Sequence, residues 1–164
     1  MALTKDRIDS IEAKTNDLLI NAYGSNISLP VSLAKIVSYL GLTISTGHFE
    51  DDNIDGYYVK SEKTIYISSS APLSRKLFTI AHEIGHFLLH NKEREVFYRT
   101  DSLNIDIQDQ TEEQEANWFA ASLLMPENYI REYWDDVQNI HEMALIFNVS
   151  QIAMAYRLKN LKIT

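Results

Sequence analysis

The chain has 164 residues, which is enough for one compact domain with a substantial core. Its apolar fraction of 45% and charged fraction of 23% are ordinary for a globular protein and exclude the disordered and fibrous classes. The net charge of −8 argues against a broad nonspecific nucleic-acid surface, and the absence of cysteine excludes disulfides and thiolate metal sites.

The sequence also lacks the segments that would direct it to a membrane. No stretch approaches the ~18 consecutive apolar residues of a transmembrane helix. The first ten residues are polar and lack the apolar centre of a signal peptide. We therefore expect a cytoplasmic protein with no membrane partner.

The first half of the sequence predicts two helices followed by a small sheet. An amphipathic pattern marks a first helix that ends near Gly24, and a second helix runs from Pro30 to Leu40. The apolar period then changes from that of a helix to that of a strand. Strands are predicted at residues 42–44, 57–59 and 64–67, and the last two form a hairpin.

The second half predicts helices joined by one long polar segment. Residues 91–110 are polar and without a clear period, which indicates a loop or an irregular insertion. One helix is predicted from Ser74 to about His90, and a second begins at Thr111 and ends at Pro126. Further helices are predicted over residues 127–138 and in two amphipathic stretches from Asn139 onward.

An HExxH motif lies inside the first of these helices, flanked by apolar residues on both sides. His82 and His86 are four residues apart, so their imidazoles project from one helical face and can bind one metal ion. Glu83 lies beside them, where it would take a proton from a metal-activated water instead of binding the metal. Burying these ionisable groups without partners would cost on the order of several kcal/mol, which favours a metal over two core histidines bonded to carbonyls.

His90 continues the stripe of the two motif histidines. However, His82, His86 and His90 would spread over about 12 Å along one helix, which is too far to share a single tetrahedral ion. We expect His90 to be a polar neighbour of the site or a cation at the end of the helix.

The third ligand must come from another element, because a catalytic zinc takes three protein ligands and leaves one position for water. The helix after residue 110 opens with an acidic cluster. Glu113 and Asn117 share its inward apolar face, which favours Glu113 as the ligand and Asn117 as the group that orients a ligating histidine. Glu112 and Glu115 point away and are expected to be solvated, and the alternative is that all three glutamates form an exposed helix N-terminus.

Two blocks of the sequence, residues 75–90 and 113–126, together resemble the ImmA/IrrE family of zinc metallopeptidases. The resemblance implies an α+β, minimal gluzincin-like fold that is mostly helical, with a small three-stranded sheet and the HExxH helix. It also implies one Zn²⁺ per chain, bound by His82, His86 and Glu113, with Glu83 as the general base.

The residue pattern divides the chain near residue 138, and the same resemblance indicates a substrate. Residues 1–138 are expected to form the metallopeptidase-like domain, and residues 139–164 a helix-turn-helix-like pair packed on it. Members of the family are thought to cleave or inactivate a helix-turn-helix repressor, which implies a zinc-dependent metalloendopeptidase that relieves repression in a mobile element or stress response. An extended substrate could add to a sheet edge, for which our candidate is Thr64, Ile65, Tyr66 and Ile67.

Two alternatives to a peptidase stay open at this point. The protein could bind zinc without turnover and act by occluding its partner. It could also be a DNA-binding transcriptional regulator that uses residues 140–161, and such a regulator would depend on Arg157 and Lys159.

Overall fold

The structure, a computed structural model, describes residues 2–90, 96–98 and 107–164. None of the helices in these ranges has both the length and the apolar character needed to cross a membrane. The elements follow in the order α1 (Lys5–Tyr23), α2 (Leu33–Tyr39), β1 (Thr43–Gly47), β2 (Gly56–Val59), β3 (Thr64–Ser68), α3 (Leu73–Leu89), β4 (Val96–Tyr98), α4 (Ile107–Leu124), α5 (Glu127–Val137), α6 (Ile140–Phe147) and α7 (Gln151–Asn160). The predicted α+β class, mostly helical with a small sheet, is therefore confirmed.

Local sequence signals account for the points at which several helices begin or end. Gly24 ends α1 with a φ of 75°, a conformation that glycine adopts without strain, as the sequence predicted. The second helix begins later than Pro30, because a serine hydroxyl downstream accepts the hydrogen bond from the first helical turn. The residues that cap α1, α2, α6 and α7 in this way are Thr4, Ser32, Asn139 and Ser150.

The sheet contains the three predicted strands and one more, in the order β1-β3-β2-β4. The predicted hairpin of β2 and β3 is confirmed, and β1 pairs with β3 in parallel. The fourth strand, β4, lies within residues 91–110, for which the sequence predicted a loop. A strand of three residues inside a polar segment is too short to produce a readable alternation of polar and apolar residues.

The prediction that β3 forms the edge of the sheet is wrong. Because β2 pairs along one side of this strand and β1 along the other, residues 64–67 cannot accept an added strand. Within the described part of the chain, the edges of the sheet are β1 and β4. The sequence identifies β3 as a strand, but the pairing that covers its second side depends on tertiary structure.

One apolar core is shared by the helices and one face of the sheet. Buried side chains from α1 to α4 meet Ile65 and Ile67 of β3 in this core. Phe147 of α6 and Leu158 of α7 are buried in the same cluster. Apolar side chains from both sides of residue 138 therefore pack together, and the domain boundary expected there stays a prediction.

Helices α3 and α4 cross closely because glycine occupies the contact point. A Cβ atom on Gly85 would lie 3.1 Å from the ring of Phe119 and 3.2 Å from the Cα atom of Ala116. Glycine leaves no side chain between the two helices, so the N-terminal half of α4 comes close to the face of α3 that carries the motif histidines.

The guanidinium of Arg157, on α7, is buried in a polar contact that joins three helices. It donates to the carboxylate of Glu12 on α1 at 2.7 and 3.0 Å, and to the carbonyl oxygen of Met125 after α4 at 2.9 Å. Arg157 is only 1% exposed. It is therefore not available to a DNA phosphate, contrary to the role that the DNA-binding alternative assigned to it.

Removing the carboxylate of this pair should destabilise the protein more than removing the guanidinium. Glu12→Leu leaves a buried cation without its counterion, which should lower the free energy of unfolding by about 3–5 kcal/mol. Arg157→Met should cost less, because the side chain of Glu12 is 20% exposed and water can reach its carboxylate. Urea denaturation of the three proteins measures the difference, and an equal or larger loss in Arg157→Met would contradict it.

Candidate metal centre

Three side chains from two helices converge on one point. His82 and His86 project from successive turns of α3, and their Nε2 atoms lie 3.0 Å apart. Helix α4 brings the carboxylate of Glu113 to the same place, with Oε2 at 3.2 Å from Nε2 of His82 and Oε1 at 2.8 Å from Nε2 of His86. The structure thus brings together the three residues that the sequence predicted as ligands.

The spacing and chemistry of these atoms fit a metal ion. The candidate ligand atoms lie within 4.8 Å of one another. A tetrahedral ion with bonds of about 2.0–2.1 Å would separate its ligand atoms by about 3.3–3.4 Å, so only a small outward movement is needed. Two imidazole nitrogens and one carboxylate oxygen form a donor set that divalent transition metals bind. His82, His86 and Glu113 are therefore a possible metal site.

The two histidines are buried, whereas the carboxylate lies on the open side of the site. The side chain of Glu113 is 26% exposed, and that of His82 is fully buried. Burial alone would raise the pKa of the Glu113 carboxyl, but the hydrogen bonds and charges of the two histidines outweigh it and hold this pKa well below its usual range. Glu113 is consequently an anion at neutral pH, as a ligand must be.

A second contact orients the ring of each histidine. Nδ1 of His82 lies 2.8 Å from Oδ1 of Asn117, and Nδ1 of His86 lies 2.9 Å from Nδ1 of His90. Because an amide oxygen only accepts, Nδ1 of His82 carries a hydrogen, and Nε2 is the nitrogen whose lone pair a bound metal would use. The structure thus places Asn117 and His90 next to His82 and His86, and the roles that the sequence analysis gave them stay predictions.

Glu83 lies on α3, directly after His82, and is fully buried. The helix that presents the two candidate ligands therefore also holds this carboxyl group out of bulk solvent. Its role as the general base stays a prediction at this point.

The sequence analysis missed the environment of Glu115. This residue and Glu112 were expected to be solvated, but both are buried, and Glu115 is only 8% exposed. The reason is that α1 packs against α4 and covers the side that carries Glu115. The carboxylate accepts hydrogen bonds from Arg7 at 2.6 and 2.7 Å and from Nε2 of His90 at 2.9 Å.

These contacts shift the pKa values of the groups next to the site. The hydrogen bonds from Arg7 hold the pKa of Glu115 below its usual range. Burial lowers the pKa of His90, although its hydrogen bond with Glu115 opposes that change. No signal in the sequence joins Arg7 to residues that lie more than a hundred positions further on.

The residues predicted to bind substrate do not form a binding surface. Ile65 and Ile67 are buried in the core, with exposures of 0% and 1%. Tyr66 lies on the other face of the sheet, where its ring stacks on Tyr57 and its hydroxyl donates to Glu62. The side chains of β3 therefore pack alternately in the core and on the outer face of the sheet.

Comparison with known proteins gives a family match over most of the chain. Residues 37–159 match the peptidase M78 family, described as the IrrE N-terminal-like domain. The chain is 27% identical over 131 residues to "Uncharacterized immunity region protein 2" of Bacillus phage phi105, covering 78% of this chain and 80% of that protein. This match extends over four-fifths of the phage protein.

Two further similarities involve longer proteins. The chain is 36% identical over 78 residues to the radiation response metalloprotease IrrE of Deinococcus radiodurans, covering 48% of this chain and 24% of that protein. Its fold is similar to that of a Mycobacterium tuberculosis transcriptional regulator, with a TM-score of 0.66 at 16% identity, over 94% of this chain and 47% of that one. The chain therefore spans about a quarter of the first protein and just under half of the second.

Removing any one of the three candidate ligands should abolish metal binding. The purified protein should contain about one divalent ion per chain, and His82→Ala and Glu113→Ala should contain almost none, since two ligands hold such an ion poorly. Glu142→Ala, which changes an exposed glutamate of α6, is the matched control and should keep the ion. Metal analysis by mass spectrometry measures this, and full occupancy in Glu113→Ala would refute its assignment as a ligand.

Widening the crossing of α3 and α4 should also weaken metal binding. Gly85→Val places a branched side chain against Phe119 and the backbone of Ala116, which should cost about 1–3 kcal/mol and move Glu113 away from the histidines. Gly47→Val is the matched control, because nothing lies within 4 Å of a Cβ atom there. Metal affinity and urea denaturation of both variants test this, and unchanged affinity in Gly85→Val would contradict it.

Proposed function

We propose that this chain, which belongs to the peptidase M78 family of metallopeptidases, is a zinc-dependent metalloendopeptidase of the gluzincin type. The observation that carries the proposal is the convergence of His82, His86 and Glu113 from two helices, with the buried Glu83 on the same helix as the histidines. Zinc is the metal that suits two imidazoles and one carboxylate around a position left for water.

Each residue around this site has a separate role in peptide hydrolysis. When bound, zinc would supply a Lewis acid that polarises the scissile carbonyl and acidifies water. Glu83 takes a proton from the attacking water and passes it to the amine nitrogen as the C–N bond breaks, so that a carboxylate and an amine are released. Asn117 and His90 hold the imidazoles of His82 and His86 in the orientation that metal binding requires.

We further propose that the substrate is a helix-turn-helix repressor and that its cleavage relieves repression. The resemblance to the ImmA/IrrE family supports this substrate, and so does the similarity to a protein named for a phage immunity region. The net charge of −8 favours encounter with a basic, DNA-binding partner. Such a substrate would place the activity in the cytoplasm.

Replacing Glu83 should separate metal binding from peptide hydrolysis. Glu83→Gln keeps the size of the side chain but cannot accept the proton, so cleavage should fall by about 10²–10⁴-fold while zinc content is unchanged. The assay is incubation with a candidate helix-turn-helix repressor, sought first among the neighbouring genes, followed by mass spectrometry of the fragments. His82→Ala, which should lose both zinc and cleavage, is the control.

The same assay distinguishes a peptidase from a protein that only occludes its partner. Cleavage by Glu83→Gln at the wild-type rate would refute the role of Glu83. A stable complex of the wild-type protein with an intact repressor would refute the peptidase and support occlusion.

A further inference from the structure

A line of hydrogen bonds leads from the first helix to a metal ligand. Arg7 of α1 donates to both carboxylate oxygens of Glu115 on α4, at 2.7 and 2.6 Å. Oε2 of Glu115 lies 2.9 Å from Nε2 of His90, and Nδ1 of His90 lies 2.9 Å from Nδ1 of His86. His86 is therefore joined to α1 through two intervening side chains.

The chemistry of these groups fixes the direction in which each hydrogen points. An ionised carboxylate only accepts, so Nε2 of His90 carries the hydrogen that Glu115 receives. The Nδ1 of a neutral His90 then accepts a hydrogen from Nδ1 of His86. In a neutral His86, Nε2 is then without a hydrogen and faces His82 and Glu113. Glu115 thus selects the tautomer of two histidines in series, and the selected one is the metal-binding form.

The groups that orient the two ligating histidines connect to different helices. His82 is held by Asn117, which lies one helical turn after the ligand Glu113 on α4. The ring of His86 is connected instead to α1, because the packing of α1 on α4 brings Arg7 to Glu115. The side chain of Glu115 is 11% exposed and that of Arg7 is 37% exposed, so the pair lies at the margin of the core.

We propose that Glu115 and Arg7 are positioning residues for the metal ligand His86, acting through His90, and that this pair between α1 and α4 thereby raises metal affinity. This rests on the proposed zinc site but not on peptidase turnover. A hydrogen-bonded partner behind a ligating histidine typically contributes 10–100-fold to metal affinity. Here that partner is His90, which is itself hydrogen-bonded to Glu115, the acidic member of the charged pair between α1 and α4.

A second pair on α1 provides a matched comparison. Glu12 of α1 accepts two hydrogen bonds from Arg157, so it also forms a two-point pair between α1 and another helix. Its carboxylate accepts hydrogen bonds from Arg157 and Trp118, neither of which belongs to the line from Arg7 to His86. A loss of stability alone would affect both pairs, whereas a loss of metal affinity through His86 would follow only from the Arg7–Glu115 pair.

The test compares zinc affinity, the spectrum of the cobalt-substituted protein and the stability of the metal-free protein. Glu115→Gln should weaken zinc binding by about 10–100-fold in competition with a chromophoric chelator, and it should shift the visible absorption bands of bound Co²⁺. Arg7→Met, at a more exposed position, should act in the same direction with a smaller loss. Glu12→Gln should lower the melting temperature of the metal-free protein without changing zinc affinity or the spectrum.

Each outcome decides the proposal. Wild-type affinity and an unchanged Co²⁺ spectrum in folded Glu115→Gln or Arg7→Met would overturn it, and so would an equal loss of affinity in Glu12→Gln. Circular dichroism verifies folding, and Arg7→Met serves if Glu115→Gln does not fold. A wild-type protein that binds no zinc would refute the metal site itself, whereas one that binds zinc without cleaving a repressor would refute only the peptidase function.

Discussion

The close crossing of α3 and α4 is the constraint on which the rest of the candidate metal centre depends. The motif histidines lie on one helix and the carboxylate on the other, so the three meet only if the two backbones approach closely. Gly85 permits this approach, since its missing side chain leaves room for Phe119 and Ala116. The same approach brings Asn117 to the back of His82, so one packing contact places both a candidate ligand and the group that hydrogen-bonds to another candidate ligand.

The sequence predicted those parts of the site that follow from the geometry of a single helix. The spacing of His82 and His86 and the inward face shared by Glu113 and Asn117 depend only on helical periodicity, and each of these side chains lies in the site as expected. The burial of Glu115 could not be predicted, because it depends on α1 packing over α4. The central position of β3 was missed for a similar reason, since strand pairing is decided by tertiary structure.

Helix α1 is joined to the rest of the fold by two charged pairs of opposite polarity. It supplies the cation in the pair with α4 and the anion in the pair with α7. Trp118 of α4 also donates to Glu12, which adds a contact between the same helices. A helix shifted by one turn would lose both pairs, so the arrangement specifies the register of α1 more strongly than apolar packing alone would.

These pairs also bear on the order in which the protein can fold during synthesis. The partners of Arg7 and Glu12 lie 108 and 145 residues further along the chain. Contacts of such long range close large loops and form late. Helix α1 therefore leaves the ribosome before α4 and α7 but docks only after both have been made. The polar groups behind His86 are completed at that moment, so an unfinished chain holds the HExxH motif without the full set of contacts that orients it.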